Sequence, residues 1–393
     1  MILSKTVERL LDAAGGVSHN IRPELLSSAQ NCFSRSGRMQ DASDAIQVSE
    51  SSVTSVHGSA VVPDEHGRRQ SAFPQFIPAT GLSNAHVQTI VGTMFGGRPK
   101  IEGTRLQRVR LADGDSIVLH DDQPRSWRRG GHVALLMHGL SGDHSSGYMM
   151  RICRKLMDCG VRVFRMDHRG SGAAENLSRR PYNAGRIHDL ESAIAWIERD
   201  CPGSPVSIAG FSLSGNLLLR YLGDDPDRIP LSIFRAVAVC PPIDLEASVD
   251  FLAATSLGQR YDWYFARRLV DHVVNTPLWR DDLPLANVHS VPRRIIEFDE
   301  LFTAPASGYQ SAHEYYEDAS AINCLDQIRV HTTVLAAEDD PMIPTGSWDN
   351  VTLPPNISLC RTAHGGHLGY VGRSGADPDR RWMDWRVVDW LLH

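Results

Sequence analysis

The chain has 393 residues, 42% hydrophobic and 22% charged, with 40 Lys and Arg against 46 Asp and Glu and a formal net charge of −6. That length suits two or three domains of about 150 residues, or one large α/β domain with insertions, and a core that buries about three quarters of the unfolded surface. The mild acidity argues against a nucleic-acid binder, which needs a basic stripe to displace counterions, and no run of about 18 apolar residues offers a transmembrane helix.

The opening segment, MILSKTVERLLDAA, is interrupted by Lys5, Glu8 and Arg9. It lacks the unbroken apolar stretch of a signal peptide, whereas Ile2, Val7, Leu10 and Leu11 have the spacing of a short amphipathic helix. From Ser27 to about Gln70 the chain is rich in Ser, Gln, Asp and His. A stretch such as SESSVTSVHGSA cannot bury enough apolar surface to offset its ordering entropy. Residues 1–72 are therefore expected to form a poorly ordered arm led by a short helix, with the ordered domain occupying 73–393. Seven cysteines without a C-x-x-C pair fit reduced thiols and a cytoplasmic setting better than a disulfide frame or a zinc site.

Beyond the arm, Arg108 to His120 reads as a hairpin, because Asp113-Gly114 separates two alternating runs; the first strand is expected to start near Arg108. Further strands are expected at His132–Met137, Val161–Met166, Val206–Ala209, Ala236–Val239, Thr332–Ala336 and Ile357–Cys360. Helical spacing lies between them. Met149, Ile152, Cys153 and Met157 share one face, Ile187, Leu190, Ile194 and Ile197 share another, and Asn216–Leu222 is apolar nearly all round. A helix over Asp379–Leu392 closes the chain. This alternation predicts an α/β fold, a mostly parallel sheet with helices on both faces. The interval from Ile243 to about Asp326 is too long for a simple crossover, so it is expected to be an inserted helical lid over the carboxyl ends of the strands. No G-x-G-x-x-G follows a strand and no Walker loop is present, so no nucleotide cofactor is indicated.

The sharpest motif is Gly210-Phe211-Ser212-Leu213-Ser214-Gly215, with an apolar strand before it and an apolar helix after it. That is the context of a nucleophile elbow, in which Ser212 sits on a turn so tight that its neighbours must be small. Gly210 fills the position two before, while Ser214 stands where glycine is usual. A serine nucleophile needs a base and an orienting acid, which in this architecture follow it in the chain. Asp339 and Asp340 lie just past the strand at 332–336, and Asp340 is preferred because Pro341 fixes the turn after it. After the last strand, His364-Gly365-Gly366-His367 offers two histidines. His367 is the preferred base, His364 the competitor, and an H-x-x-H metal pair lacks further nearby ligands. The oxyanion donors are expected to be the backbone N–H groups of Leu213 and of Leu140, the latter in the loop His138-Gly139-Leu140-Ser141-Gly142. His138 reads as a prop for that loop, and Asp167 to Gly172 as a tight connection beside the site.

These features resemble the YheT-like branch of the α/β-hydrolases, the fourth AB-hydrolase family. The resemblance covers about residues 73–393. It rests on His138–Gly142, Arg169-Gly170-Ser171-Gly172, Gly210–Leu213, Asn84-Ala85-His86-Val87-Gln88-Thr89-Ile90 and Ala184–Leu190. Its most family-specific stretch is Phe298-Asp299-Glu300-Leu301-Phe302-Thr303-Ala304-Pro305. It implies an α/β-hydrolase fold and a Ser-Asp-His hydrolase with the triad on Ser212, Asp340 and His367. It also implies an esterase or lipase acting on acylglycerols or phospholipids.

The expected function is hydrolysis of carboxylic esters, with no metal and no organic cofactor. An apolar lid, with Phe251, Leu252, Tyr261, Trp263, Tyr264, Phe265, Leu269 and Val270, would favour hydrophobic acyl chains. Acyl transfer through the same acyl-enzyme is the alternative, and an inert binding module on the same fold is a third reading. The expected partner is a small ester or lipid, without nucleic acid and without a transmembrane segment. Peripheral contact with a membrane stays open, and nothing in the chain sets an oligomeric state.

Overall fold

The apolar runs become strands buried on both faces. A computed structural model describes residues 74–94, 97–280, 291–375 and 377–393, together with an antiparallel ribbon of Val62–Pro63 and Arg69–Gln70. The rest of the expected arm, with its short helix, lies outside the described residues.

Eight strands form the main sheet: β1 (Arg105–Arg110), β2 (Ser116–Asp122), β3 (Val133–Met137), β4 (Arg162–Asp167), β5 (Val206–Phe211), β6 (Ile233–Val239), β7 (Thr332–Ala337) and β8 (Ile357–Thr362). Their order is β1-β2-β4-β3-β5-β6-β7-β8. β2 is antiparallel to both neighbours, and the pairs from β4 to β8 are parallel. The expected hairpin forms, but β1 starts at Arg105 rather than near Arg108. Pairing across the edge, Arg105 with Asp121, sets its extent even though Leu106 is 61% exposed.

Eight helices matter for the site: α1 (Ala85–Met94), α2 (Gly147–Asp158), α3 (Ile187–Asp200), α4 (Leu213–Asp224), α5 (Leu245–Ala254), α6 (Ser256–Asn275), α7 (Ala312–Ala319) and α8 (Trp382–Leu392). Alternate residues of each central strand feed two cores. Leu135, Met137 and Ile208 pack with Leu190 and Ile194 of α3 and Leu218 of α4. Ala134, Leu136 and Phe211 pack with Met149 and Ile152 of α2 and Val387 of α8. The buried stripe of α2 ends on Leu156, not Met157, because i, i+3, i+4, i+7 from Met149 gives 149, 152, 153 and 156. α8 begins at Trp382 rather than Asp379, whose carboxylate instead accepts the Arg381 N–H and the Trp385 indole N–H just ahead of the helix.

The described part of the interval between β6 and β7 is mainly helical, as expected. α5 and α6 start on side-chain caps, Asp244 accepting from Ala247 N–H and Thr255 from Gly258 N–H. A π-helical turn, Asp299–Thr303, lies between α6 and α7. Among the described residues no helix is long and apolar enough to cross a membrane.

Candidate active site

β5 delivers Ser212 into a sharp turn at its carboxyl end, and α4 starts on the next residue. Ser212 has φ 53 and ψ −122, a conformation that costs a non-glycine residue about 1–3 kcal/mol. The turn is tight enough that a Cβ on Gly210 would lie 2.3 Å from the Ser214 carbonyl oxygen. Positive φ at non-glycine residues gathers here. Of six such residues described, Ser141, Ser212, Cys240, Leu368 and Tyr370 flank the site, and Asn176 is the exception.

β7 ends at Ala337 and β8 at Thr362, and the loops after them bring Asp340 and His367 to Ser212. His367 Nε2 is 2.9 Å from Ser212 Oγ, and Nδ1 is 2.8 Å from Asp340 Oδ2. Asp340 and His367 are both buried, at 5% exposure. The competing pair falls elsewhere. Asp339 Oδ2 lies 3.3 Å from Nδ1 of His364, a half-exposed side chain, and Oδ1 accepts the Gly366 N–H at 2.9 Å. The two adjacent carboxylates thus point to different histidines, and His364 and His367 do not share a site.

Leu140 and Leu213 both line the cleft with Ser212, and neither backbone N–H has an acceptor among the described residues. Leu213 opens α4, so the helix dipole adds partial positive charge there. His138 is buried, and its Nδ1–H donates to the Gly139 carbonyl at 2.8 Å.

Among the described residues, two clusters have the residue types of a metal site: Cys240 with Asp340 and His367, and His120 with His144 and Asp167. In the first, burial pushes the Cys240 thiol well above its usual range, so it stays a neutral thiol. In the second, Asp167 already accepts from His120 Nε2, His144 Nδ1 and the backbone N–H groups of His144 and Ala173. Its carboxylate is saturated as a clamp on the loops around it.

The motif Asn84–Ile90, notable in the sequence only through resemblance, holds the loop that carries His367. Thr89 Oγ1 on α1 accepts the His367 N–H at 2.9 Å. The Gln88 side chain donates to the Val371 carbonyl and accepts the Val371 N–H, holding the far end of the same loop. Arg169 lies in the connection that the sequence places beside the site. It is buried and binds Asp189 in a two-pronged pair while reaching Asp113 and Asp115, which anchors the loop after β4 beside the cleft.

The lid roofs a cleft of about 1170 Å³, counted out to its open mouth. Leu252, Phe265, Leu269, Val273, Phe298 and Phe302 form much of its apolar wall. The other expected lid aromatics do not reach it. Phe251 and Trp263 face solvent, and buried Tyr261 stacks on His86 with its hydroxyl 3.1 Å from Nδ1. Among the ionisable wall residues is Asp299: burial pushes its carboxyl up to about 6, although Thr303 and Tyr316 hydroxyls donate to it.

A family profile for the alpha/beta hydrolase fold matches residues 134–373. Escherichia coli YheT, whose name marks it as a candidate esterase, is 31% identical over 335 residues, covering 82% of this chain and 94% of its own length. Phospholipase ABHD3 of Mus musculus is 26% identical, covering 75% of this chain and 73% of its own. The monoacylglycerol lipase of Saccharomyces cerevisiae is 27% identical, covering 72% and 63%. The Pyrococcus furiosus esterase Pf2001 is similar in fold, with a TM-score of 0.50 at 15% identity over 82% of this chain and 98% of that one. On the profile match and the YheT identity, the chain belongs to the YheT-like branch of the α/β-hydrolases.

Proposed function

We propose that this carboxylic ester hydrolase works through an acyl-enzyme on Ser212 and prefers esters with a hydrophobic acyl chain. The observation that carries the reading is the hydrogen-bonded chain Ser212–His367–Asp340 under an apolar lid. Ser212 Oγ attacks the ester carbonyl while His367 Nε2 takes its proton. Asp340 accepts from Nδ1–H and stabilises the imidazolium. The oxyanion is met by the Leu140 and Leu213 N–H groups. The imidazolium then protonates the departing alcohol, and a water activated by His367 releases the acid. Every proton is handled by these side chains, so the reading requires no metal and no organic cofactor.

The apolar wall suits acylglycerol- or phospholipid-like esters, the classes in the names of two relatives. A cytoplasmic setting belongs to the same reading, as does a small ester or lipid as partner, met free or at a membrane surface. Acyl transfer to an alcohol is the second reading, because a Saccharomyces cerevisiae relative is named both ethyl ester synthase and esterase.

A fluorophosphonate probe should label the protein at Ser212. The folded Ser212→Ala variant should neither label nor turn over p-nitrophenyl butyrate, a loss of about 10⁴-fold or more. Label elsewhere, or a variant with a substantial fraction of wild-type rate, overturns the assignment. Product analysis with added ethanol separates hydrolysis from transfer.

A further inference from the structure

Ser214, where a glycine is usual, has three polar partners. It is fully buried, and its Oγ lies 2.5 Å from the His138 carbonyl oxygen, 2.8 Å from His168 Nε2 and 3.0 Å from the Tyr182 hydroxyl. A carbonyl can only accept, so the single Ser214 proton goes to His138. The two remaining lone pairs then take the His168 Nε2–H and the Tyr182 O–H. The hydroxyl is saturated, and the direction of each bond follows. Burial holds the His168 imidazole well below its usual pKa, so it is neutral. With the proton on Nε2, its buried Nδ1 has no hydrogen-bond partner among the described residues. The Tyr182 ring stacks on His168 at 3.9 Å, which fixes both donors.

His138 opens the loop that carries Leu140. The far end of that loop is clamped by Asp167, which accepts the His144 N–H at 2.7 Å and pairs with the His144 ring. Between the two ends, Gly139 backs against the nucleophile, where a Cβ would lie 3.0 Å from Ser212 Cβ. Ser214 belongs to the first turn of α4, the turn that also carries the Leu213 N–H. Its bond to His138 therefore joins the elements bearing the two oxyanion donors.

We propose that Ser214 is a positioning residue for the oxyanion site: it ties the His138 carbonyl to the first turn of α4 and so sets the separation of the Leu140 and Leu213 N–H groups. Glycine would satisfy the steric demand of the elbow but not make this tie. The inference rests on the acyl-enzyme reading of Ser212.

The test compares wild type, Ser214→Gly and Tyr182→Phe in p-nitrophenyl butyrate hydrolysis. It also measures inhibition by an alkyl trifluoromethyl ketone, which forms a tetrahedral adduct with the serine and places an oxyanion between the two donors. A misplacement near 1 Å can cost about 100-fold, so Ser214→Gly should lose about 10- to 100-fold in kcat with KM little changed. Ketone affinity should fall by a similar factor. Tyr182→Phe removes one of the two donors to Ser214 without touching the elbow and should show the same pattern at smaller size. A purely structural role would lower the melting temperature without moving ketone affinity relative to KM. Wild-type kcat and ketone affinity in Ser214→Gly overturn the proposal, as does a loss confined to KM or to melting temperature. If the glycine variant does not fold, the same criteria apply to Tyr182→Phe. Fluorophosphonate labelling of wild type keeps the two readings apart: no label at Ser212 sinks the acyl-enzyme, whereas a labelled wild type with an unimpaired Ser214→Gly sinks the positioning role alone.

Discussion

Replacing Asp340 by Asn changes one atom and should reverse the polarity of the His367 imidazole. Asp340 Oδ1 accepts two backbone donors, the N–H groups of Met342 at 2.9 Å and Ile343 at 3.1 Å, while Oδ2 faces His367 Nδ1 at 2.8 Å. In Asp340→Asn the two backbone donors select the amide oxygen, because the opposite orientation would set an NH₂ against two N–H groups. The NH₂ then points at His367 Nδ1, which must accept. The imidazole proton moves to Nε2, 2.9 Å from Ser212 Oγ, where a lone pair is needed to take the serine proton. The wrong tautomer costs about 10⁴ in kcat in serine enzymes of this type, with the fold retained. Asp339→Asn is the internal control. It leaves the His367 pair intact and weakens a contact to half-exposed His364, so it should cost no more than about fivefold, the worth of an exposed pair near 1 kcal/mol. Steady-state hydrolysis of p-nitrophenyl butyrate, with melting temperatures for both variants, makes the comparison. Equal losses, or a larger loss in Asp339→Asn, would refute the assignment of the acid.

Two more outcomes are expected. The apolar wall should raise kcat/KM from p-nitrophenyl acetate towards medium chains by up to about fourfold per methylene, from about 0.8 kcal/mol for each buried CH₂. Phe265→Ala or Leu269→Ala should flatten that rise while leaving acetate turnover nearly unchanged, and a wild-type profile that peaks at acetate refutes the hydrophobic-acyl preference. The second concerns Asp299, whose carboxyl burial pushes up to about 6. An unfolded Asp loses its proton near 3.9, so between pH ~4 and ~6 the folded state holds more protons and stability falls as pH rises through that window. The melting temperature of Asp299→Asn relative to wild type should therefore rise between pH 4 and pH 7, and a difference independent of pH would count against a buried, neutralised Asp299.

Much of the site was legible because its signals are local. Gly210-Phe211-Ser212 between an apolar strand and an apolar helix marks a turn whose steric demands fall on adjacent residues. The parallel sheet was legible for the same reason, since strands buried on both faces must be short apolar runs. The order of Ser212, Asp340 and His367, each just past a strand, followed from that reading. The preference between neighbouring candidates rested on a single local cue, Pro341 after Asp340. Asp339 and Asp340 differ by one residue, and only the turn after β7 aims one carboxylate at His367 and the other at His364.

What lay beyond the sequence is contact between distant segments. Gln88 meets Val371 across 283 positions, Thr89 meets His367 across 278, and Ser214 meets His138 across 76. Such pairs leave no periodicity and no spacing rule, so the sequence shows Ser214 only as a departure from the usual glycine and Arg169 only as part of a connection. The lid divides the same way. Its apolar content was visible, but helical spacing does not say which of Trp263, Tyr261 and Phe265 faces water, core or cleft. The chain by itself determined the elements, the elbow and the residue types of the triad, because backbone sterics and hydrophobic burial act over a few neighbouring positions. Tertiary structure supplied the contacts by which Asp340, His367 and particular lid faces meet at Ser212, because directional hydrogen bonds and packing take their partners from wherever the fold has brought them.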